Sequence, residues 1–265
     1  MDIAVINLAT EPDRWAHTRR QFQALGLQAL RHEAVPGHLL PVQERAGLYS
    51  AELNRRQYHK PLRAGEIGCY ASHLALWRRL VASGERSLAI FEDDVALDPT
   101  LPAALAQVEA MDLPWDVIKL YGRAQEQVHH RLPCGPGLEL VRYRRVPSHT
   151  CAYVISRRGA HKLLATRRPF GRPVDIDLRH WWENDLALYG LLPYPVRLAE
   201  MSRQSSIDSR RGCAGLGMRL HKLALQAGYT LHNWQALRRL GRPPAAAPGP
   251  ALAGAADAAA RRDVA

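Results

Sequence analysis

Apolar positions along the chain follow two alternating rhythms. Short, nearly unbroken apolar runs recur at "DIAVINL" (Asp2–Leu8), "LQALRHEAV" (Leu27–Val35), "SLAIF" (Ser87–Phe91) and "WDVIKLY" (Trp115–Tyr121). Runs of this length, bounded by turn-forming residues, read as strands buried in an α/β sheet. Between them, apolar residues repeat at helical spacing. "EPDRWAHTRRQFQALG" places Trp15, Phe22 and Leu25 near one face, with Pro12 at its start and Gly26 at its end. Strand, helix and strand in that order predict a βαβ unit and favour a parallel sheet.

The same reading continues down the chain. "GEIGCYASHLALWRRLV" carries Ile67, Tyr70, Leu74, Trp77, Leu80 and Val81 at helical spacing, with Gly84 beyond it as a stop signal. "TLPAALAQVEAM" predicts a helix, "LELVRYRRV" and "TCAYVIS" a strand pair, and "RRGAHKLLAT" and "DLRHWWENDLALYG" two further helices before a last short strand in "PYPVRLAE". Pro36 to Pro61 reads as a long polar loop with a helical piece. "GLGMRLHKLALQAGYTLHNWQALRRLG" sets Leu216, Leu220, Leu223, Leu231, Trp234 and Leu237 near one face, among Arg219, Lys222, Arg238 and Arg239. The Ala/Pro/Gly-rich end is of low complexity and reads as flexible. The expected organisation is a catalytic domain over 1–211, a basic amphipathic helical segment over 212–241 and a tail over 242–265. No internal repeat is visible.

Composition narrows the class. With 265 residues, 47% of them hydrophobic, the chain can bury one substantial core. No apolar run approaches the roughly 20 residues of a membrane span. Met1-Asp2 leads directly into "IAVINL", which predicts no signal peptide. The four cysteines, Cys69, Cys134, Cys151 and Cys213, form no CxxC pair, so neither a zinc knuckle nor a disulfide framework is expected. They read as reduced thiols of a cytoplasmic protein, with Cys69 and Cys151 packed in the core. A net charge of +11 points to an anionic partner: nucleic acid, an acidic membrane surface, or a phosphorylated sugar compound.

One stretch stands apart. In "SLAIFEDDVALDP" three carboxylates, Glu92, Asp93 and Asp94, directly follow a buried strand. Adjacent like charges repel unless water solvates them or a cation lies between them. Open α/β sheets bind ligands at the carboxyl ends of their strands, which is where this triplet falls. A solvated turn or the cap of a following helix is the alternative.

Three segments together resemble glycosyltransferase family 25. "VINLATEPDRW" is similar to that family's opening strand and helix. "GEIGCYASHLALWRRLV" followed by "LAIFEDDV" resembles its most diagnostic block, and "AYVISRRGAHKLL", "PVDIDLRHWWENDLALYGLLPYPV" and "RQSSIDSRR" extend the similarity over residues 1–211. The resemblance implies a GT-A-like, Rossmann-type mixed α/β sheet flanked by helices. It also implies a UDP-sugar donor, a divalent cation (manganese or magnesium), and inverting transfer, often of galactose, to a lipopolysaccharide or lipooligosaccharide core saccharide.

Roles follow for particular residues. Such a transfer must neutralise a diphosphate and activate an acceptor hydroxyl, and magnesium or manganese bind through one or two carboxylates plus phosphates. Glu92 and Asp94, two positions apart, are expected to face the cation, with Asp93 turned away toward a backbone amide. For the general base, Glu183 beside Trp181-Trp182 is the first choice and Asp175 the rival. Asn7 and Arg14 flank the end of the first strand, where base and ribose sit in this fold, although Arg14 can instead pair with Asp13 or Glu11. Ser72 and His73, in the diagnostic block, are expected on the donor side, with a satisfied structural role as the alternative for a lone helical histidine. Lys119, a charge inside a buried strand, is expected to meet a carboxylate or the diphosphate. Glu66 reads as a helix-cap partner, and His149 and Ser205–Ser206 as weaker members of the metal or phosphate shell. The expected partners are a nucleotide sugar, a lipid-linked saccharide acceptor and, through the basic C-terminal helix, an anionic membrane surface on its cytoplasmic side.

Two other readings compete. A nucleic-acid binder or metal-dependent nuclease would use the basic surface and the acidic cluster. No helix-turn-helix, RRM or zinc pattern supports it, only three phenylalanines are present for stacking, and no nucleic acid is expected. A scaffold with a decayed site is opposed by the intact "EDD" and "WWEND".

Overall fold

The computed structural model describes residues 1–122, 126–199 and 216–240. Its centre is an eight-stranded mixed sheet. The first half runs β1 (Asp2–Asn7), α1 (Pro12–Ala24), β2 (Leu30–Glu33), α2 (Val42–Leu48), α3 (Ala51–Gln57), α4 (Ala64–Ser83) and β3 (Ser87–Glu92). The strands β4 (Val95–Leu97) and β5 (Val117–Lys119) flank α5 (Leu101–Ala110). Then come β6 (Val128–Gly135), β7 (Leu138–Tyr143), β8 (Ala152–Ser156), α6 (Arg157–Thr166) and α7 (Val174–Leu178). A 3-10 turn (Trp181–Asn184), β9 (Leu188–Leu192), β10 (Val196–Leu198) and α8 (Leu216–Arg239) complete it.

Strand order across the sheet is β2-β1-β3-β8-β5-β9-β7-β6. β1 pairs in parallel with β2 and β3, which is the N-terminal βαβ unit anticipated from the sequence. β8 inserts antiparallel between β3 and β5, so the sheet is mixed rather than parallel throughout. Successive strand residues face opposite layers. Ala4, Ile6, Leu88 and Ile90 pack with Tyr70, Leu74 and Trp77 of α4, while Ile3, Val5, Ala89 and Phe91 pack with Phe22 of α1 and Leu105 of α5. Burial on both faces is why these strands read as unbroken apolar runs.

Several expectations are corrected. "LELVRYRRV" and "TCAYVIS" are not partners: β7 pairs with β6 and β9, and β8 with β3 and β5. "DLRHWWENDLALYG" is not one helix. It divides into the end of α7, the 3-10 turn and β9, because Asp185 takes a left-handed conformation (φ 47°) and the following residues are pulled between β5 and β7. Gly190 makes that possible, since a Cβ there would lie 1.7 Å from the Tyr143 hydroxyl. The polar edge strand β6 carries too little alternation to have been recognised. Pro36 to Pro61 contains two helices, and the residues after the acidic triplet form β4, paired antiparallel with β10.

α4 enters under a close backbone crossing. A Cβ on Gly68 would lie 2.3 Å from the Val35 carbonyl oxygen. This contact brings the "GEIG" start of α4 against the chain leaving β2 and aims Cys69 and His73 toward the end of β3. α8 lies within the helical segment expected over 212–241, and Asn233 docks it by accepting from Trp181 Nε1 (3.1 Å) and donating to the Arg144 carbonyl (2.6 Å). No described helix is long and apolar enough to cross a membrane. The tail over 242–265, "RQSSIDSRR", Ser205–Ser206 and Cys213 lie outside the described residues.

Candidate active site

Where β3 ends, its last residue and the next two alternate in direction. Glu92 and Asp94 line a cleft of about 410 Å³, and Asp93 turns away from it. Asp93 accepts from Asn7 Nδ2 (2.6 Å) and pairs with Arg14 (2.6 Å), while its carbonyl accepts from the Thr18 hydroxyl (3.0 Å). Its partners are therefore an amide side chain and a guanidinium, not a backbone amide. Asn7 and Arg14 do not line the cleft. Asn7, only 1% exposed, also donates to the Glu11 carbonyl and accepts from Arg31. Both residues anchor the acidic turn to β1 and α1, outside the cleft that Glu92 and Asp94 line.

The two carboxylates that face the cleft are in different electrostatic situations. Burial pushes Glu92 up, but His73, Thr150 and His149 outweigh it and hold its pKa below the usual carboxylate value. The Thr150 hydroxyl donates to Glu92 Oε1 (3.1 Å), and His73 Nε2 lies 3.7 Å from the same oxygen. Asp94 is pushed up to about 6, first by burial and then by the adjacent Glu92, against an opposing pull from Arg14. Its Oδ1 is buried and makes no hydrogen bond. A buried acceptor without a donor costs about 1–3 kcal/mol, and a cation bound there would relieve that cost.

The facing wall comes from the start of α7. Pro173 and Val174 lead into Asp175, which lines the cleft and accepts from the His149 backbone N–H (3.2 Å). His149 takes a left-handed conformation (φ 70°), which turns that N–H inward. The segment is held from below by Lys119, buried at the end of β5. Its ammonium donates to the carbonyls of Pro147 (2.9 Å), Ser148 and His149. Burial lowers its pKa to about 8. Lys119 thus meets backbone carbonyls rather than a carboxylate, because β5 ends beneath the 147–149 turn.

Glu183 is not in the cleft. Arg172 grips its carboxylate with two bonds (3.1 and 2.6 Å) and Arg167 adds a third contact (2.8 Å). These outweigh the upward push of burial and hold its pKa below normal. The same arginines bind buried Asp177, which also accepts from the Tyr70 hydroxyl. A carboxylate so committed is a poor proton acceptor. Trp181 is buried in the core and Trp182 lies against Tyr229 (5.2 Å), so neither is positioned as a sugar platform beside Glu183.

Ser72 and His73 are fully buried. Ser72 accepts from the Val35 N–H and donates to the Gly68 carbonyl, which reinforces the crossing at α4. His73 Nδ1 meets the Tyr153 hydroxyl (2.8 Å), which also accepts from Trp77 Nε1 (2.9 Å). His73 therefore acts from behind Glu92 rather than from the cleft.

Tyr58, Glu66, Cys69 and Thr150 also line the cleft. Glu66 is both a cleft residue and the expected cap partner, accepting from the Arg63 N–H (2.8 Å). Cys69 is half-buried rather than packed away, and burial followed by the surrounding acids keeps its thiol protonated. Its place in the "GEIGCYASH" block, four residues before His73, was the signal available. Donor atoms of Cys69, His73 and Glu92 lie within 4.8 Å of one another. The all-oxygen pair Glu92–Asp94 is the better match for magnesium or manganese, which favour hard oxygen ligands.

The sequence model described as "Glycosyltransferase family 25 (LPS biosynthesis protein)" matches residues 1–178. A probable inactive glycosyltransferase 25 family member 3 of Bos taurus is 30% identical over 72% of this chain and 36% of its own length. Procollagen galactosyltransferase 1-B of Xenopus laevis is 30% identical over 66% of this chain and 30% of its own. A glycosyltransferase 25 family member of Aedes aegypti is 32% identical over 66% and 29%. The chain thus spans about a third of the length of these curated relatives. A solved glucose-1-phosphate thymidylyltransferase from Bacillus anthracis, described as putative, covers 82% of this chain and 80% of its own at 10% identity, with a TM-score of 0.38 that carries no weight. With the family model over two thirds of its residues and the acidic triplet at the mouth of its cleft, this chain belongs to glycosyltransferase family 25.

Proposed function

We propose that this protein transfers a hexose, galactose first among candidates, from a UDP-sugar to a saccharide hydroxyl with inversion, assisted by a divalent cation. One observation carries the reading. Two carboxylates, one with a buried unpartnered oxygen, share a cleft with a third carboxylate on the opposite wall. Glu92 and Asp94 would hold the manganese or magnesium. Bound there, the cation would supply Lewis-acid stabilisation of the departing diphosphate. Asp175 takes the proton of the acceptor hydroxyl, and the His149 N–H it accepts keeps the carboxylate oriented. The names of procollagen galactosyltransferase relatives support galactose. Relatives named inactive make catalysis itself a matter for measurement.

A lipid-linked core saccharide is the acceptor proposed. The family description supports it, and so does α8, which carries no acidic residue and exposes Leu216, Leu220, Leu223, Leu231 and Trp234 among its basic side chains. Such a helix suits the face of an anionic membrane, with the protein on its cytoplasmic side.

The test is thermal shift and donor hydrolysis with UDP-galactose, UDP-glucose, UDP-N-acetylglucosamine and a GDP-sugar, each with manganese or EDTA. Manganese-dependent stabilisation by one UDP-sugar, lost in Asp94→Asn, supports the reading. Indifference to every nucleotide sugar, with salt-sensitive binding to DNA or RNA instead, overturns it.

A further inference from the structure

We propose that a second cavity, contiguous with the cleft, binds an anionic substituent of the acceptor saccharide, a phosphate or a carboxylate. The cavity, of about 210 Å³, lies where α3, the end of α7 and α8 meet. It shares Tyr58 and Ile176 with the cleft, which places it beside the Asp175 end of that cleft. The proposal rests on the transferase reading for the name of its ligand, but its chemistry stands on this cavity alone.

The lining is cationic without compensation. Arg145, Arg179 and Lys222 face the cavity, and no aspartate or glutamate does. Among the described residues, none of the three forms an ion pair, although carboxylates elsewhere on this chain collect arginines readily. Arg145 and Arg179 instead lie against the same ring, 5.2 and 4.9 Å from the centroid of Tyr229. Two guanidiniums on one ring repel each other, and the ring's quadrupole offsets only part of that. Arg179 Nε is buried with no hydrogen-bond partner. A guanidinium N–H left unmatched in this way is an unused donor, and phosphate and carboxylate oxygens are its natural acceptors.

The two imidazoles of the lining add no negative charge to balance these cations. Burial, then Lys222, Lys60 and His221, pushes His59 down, and burial followed by Arg172 takes His180 to about 4. Both are therefore neutral at pH 7. His180 stays fixed through a hydrogen bond between Nδ1 and the Ile176 carbonyl (3.0 Å), which holds the backbone that carries Arg179. The cationic lining and the place beside the cleft match a negatively charged group attached to a sugar. They do not match a metal, which this lining would repel.

The donor's own diphosphate is the rival source of such an anion, and the experiment separates the two. Inorganic phosphate is titrated calorimetrically into the full chain, alone and with UDP and magnesium in excess, for wild type, Arg179→Gln and Lys222→Gln. Lys222 is solvent-exposed on α8, so its variant reports on the site even if Arg179→Gln folds poorly. The expected result is saturable phosphate binding that persists with UDP present and weakens about tenfold in either variant. Phosphate binding that UDP displaces, that ignores both substitutions, or that is absent overturns the proposal. UDP binding in the same samples reports separately on the transferase reading. Failure of UDP to bind, with phosphate binding still sensitive to Arg179→Gln, would sink that reading and leave the anion site standing.

Discussion

At the scale of single residues, environment decides which carboxylates are free to act. Asp93, Asp177 and Glu183 are committed to arginines, whereas Asp94 keeps an unpartnered oxygen and Asp175 accepts from the His149 N–H without an arginine partner among the described residues. Asp175→Asn is expected to lower kcat by about 10²–10³-fold with an unchanged melting temperature, read by steady-state kinetics and thermal denaturation. Glu183→Gln is expected to do the reverse. It weakens the contacts of Arg172 and Arg167 and costs on the order of 2–4 kcal/mol of stability, while turnover per folded molecule is kept. Equal loss of kcat in both variants would contradict this division.

Asp94 also sets a pH dependence. Its folded-state pKa is raised to about 6 above an ordinary value of 3.8, so the folded form holds the proton more tightly. The contribution of Asp94 to stability is therefore most favourable below pH 4 and is lost as pH rises through about 6. Cation binding runs the opposite way, because protonated Asp94 is a poor ligand. Manganese-dependent stabilisation by UDP-sugar is expected to fade as pH drops below about 6. A flat response between pH 5 and 7 would rule out Asp94 as a ligand.

At the scale of elements, the diagnostic block works through packing more than through contact with a substrate. Gly68 lets α4 cross the chain after β2, Ser72 fastens the crossing, and His73 backs Glu92. Gly68→Ala is expected to destabilise the fold by about 2–4 kcal/mol, because the obstacle at 2.3 Å is a backbone carbonyl that cannot swing aside. Chemical denaturation measures it, and a loss under 0.5 kcal/mol would show the crossing to be loose. The acidic triplet and "GEIGCYASH" were readable because each is local: the triplet is the end of β3 and the turn after it, and "GEIGCYASH" lies within α4. Glu183 was expected in the candidate site and lies outside the cleft for the opposite reason. The segment from Asp177 to Gly190 has helical apolar spacing, yet Asp185 breaks it and β9 captures its end, which carries Glu183 into the arginine network. Lys119 was seen correctly as a charge needing a partner, but the turn beneath which it ends comes from residues 28 to 30 positions away.

At the scale of the whole molecule, α8 ties the C-terminal segment to the candidate site. Asn233 joins it to Trp181 and Arg144, and Lys222 and Tyr229 complete the second cavity. Its opposite side exposes Leu220, Leu223 and Trp234. Co-sedimentation with vesicles of anionic phospholipid is expected to be strong at low salt and to weaken as salt rises, with a further loss of about 1 kcal/mol for each of Arg238→Gln and Arg239→Gln. Equal binding to neutral vesicles, or none, would remove the membrane from the reading.

The sequence by itself determined the family, the N-terminal βαβ unit, the position of the acidic triplet at a strand end and the helical character of the diagnostic block. The family came from the resemblance of whole motifs, and the other three rest on local rules: apolar period, turn residues and neighbouring charges act over a few positions. Only the tertiary structure decided which acids face one cleft, which are neutralised by arginines, that β8 runs against its neighbours, and that three cations share a cavity without an acid. Each of those depends on residues far apart in the chain, where burial and the charge of a distant partner outweigh anything the local pattern encodes.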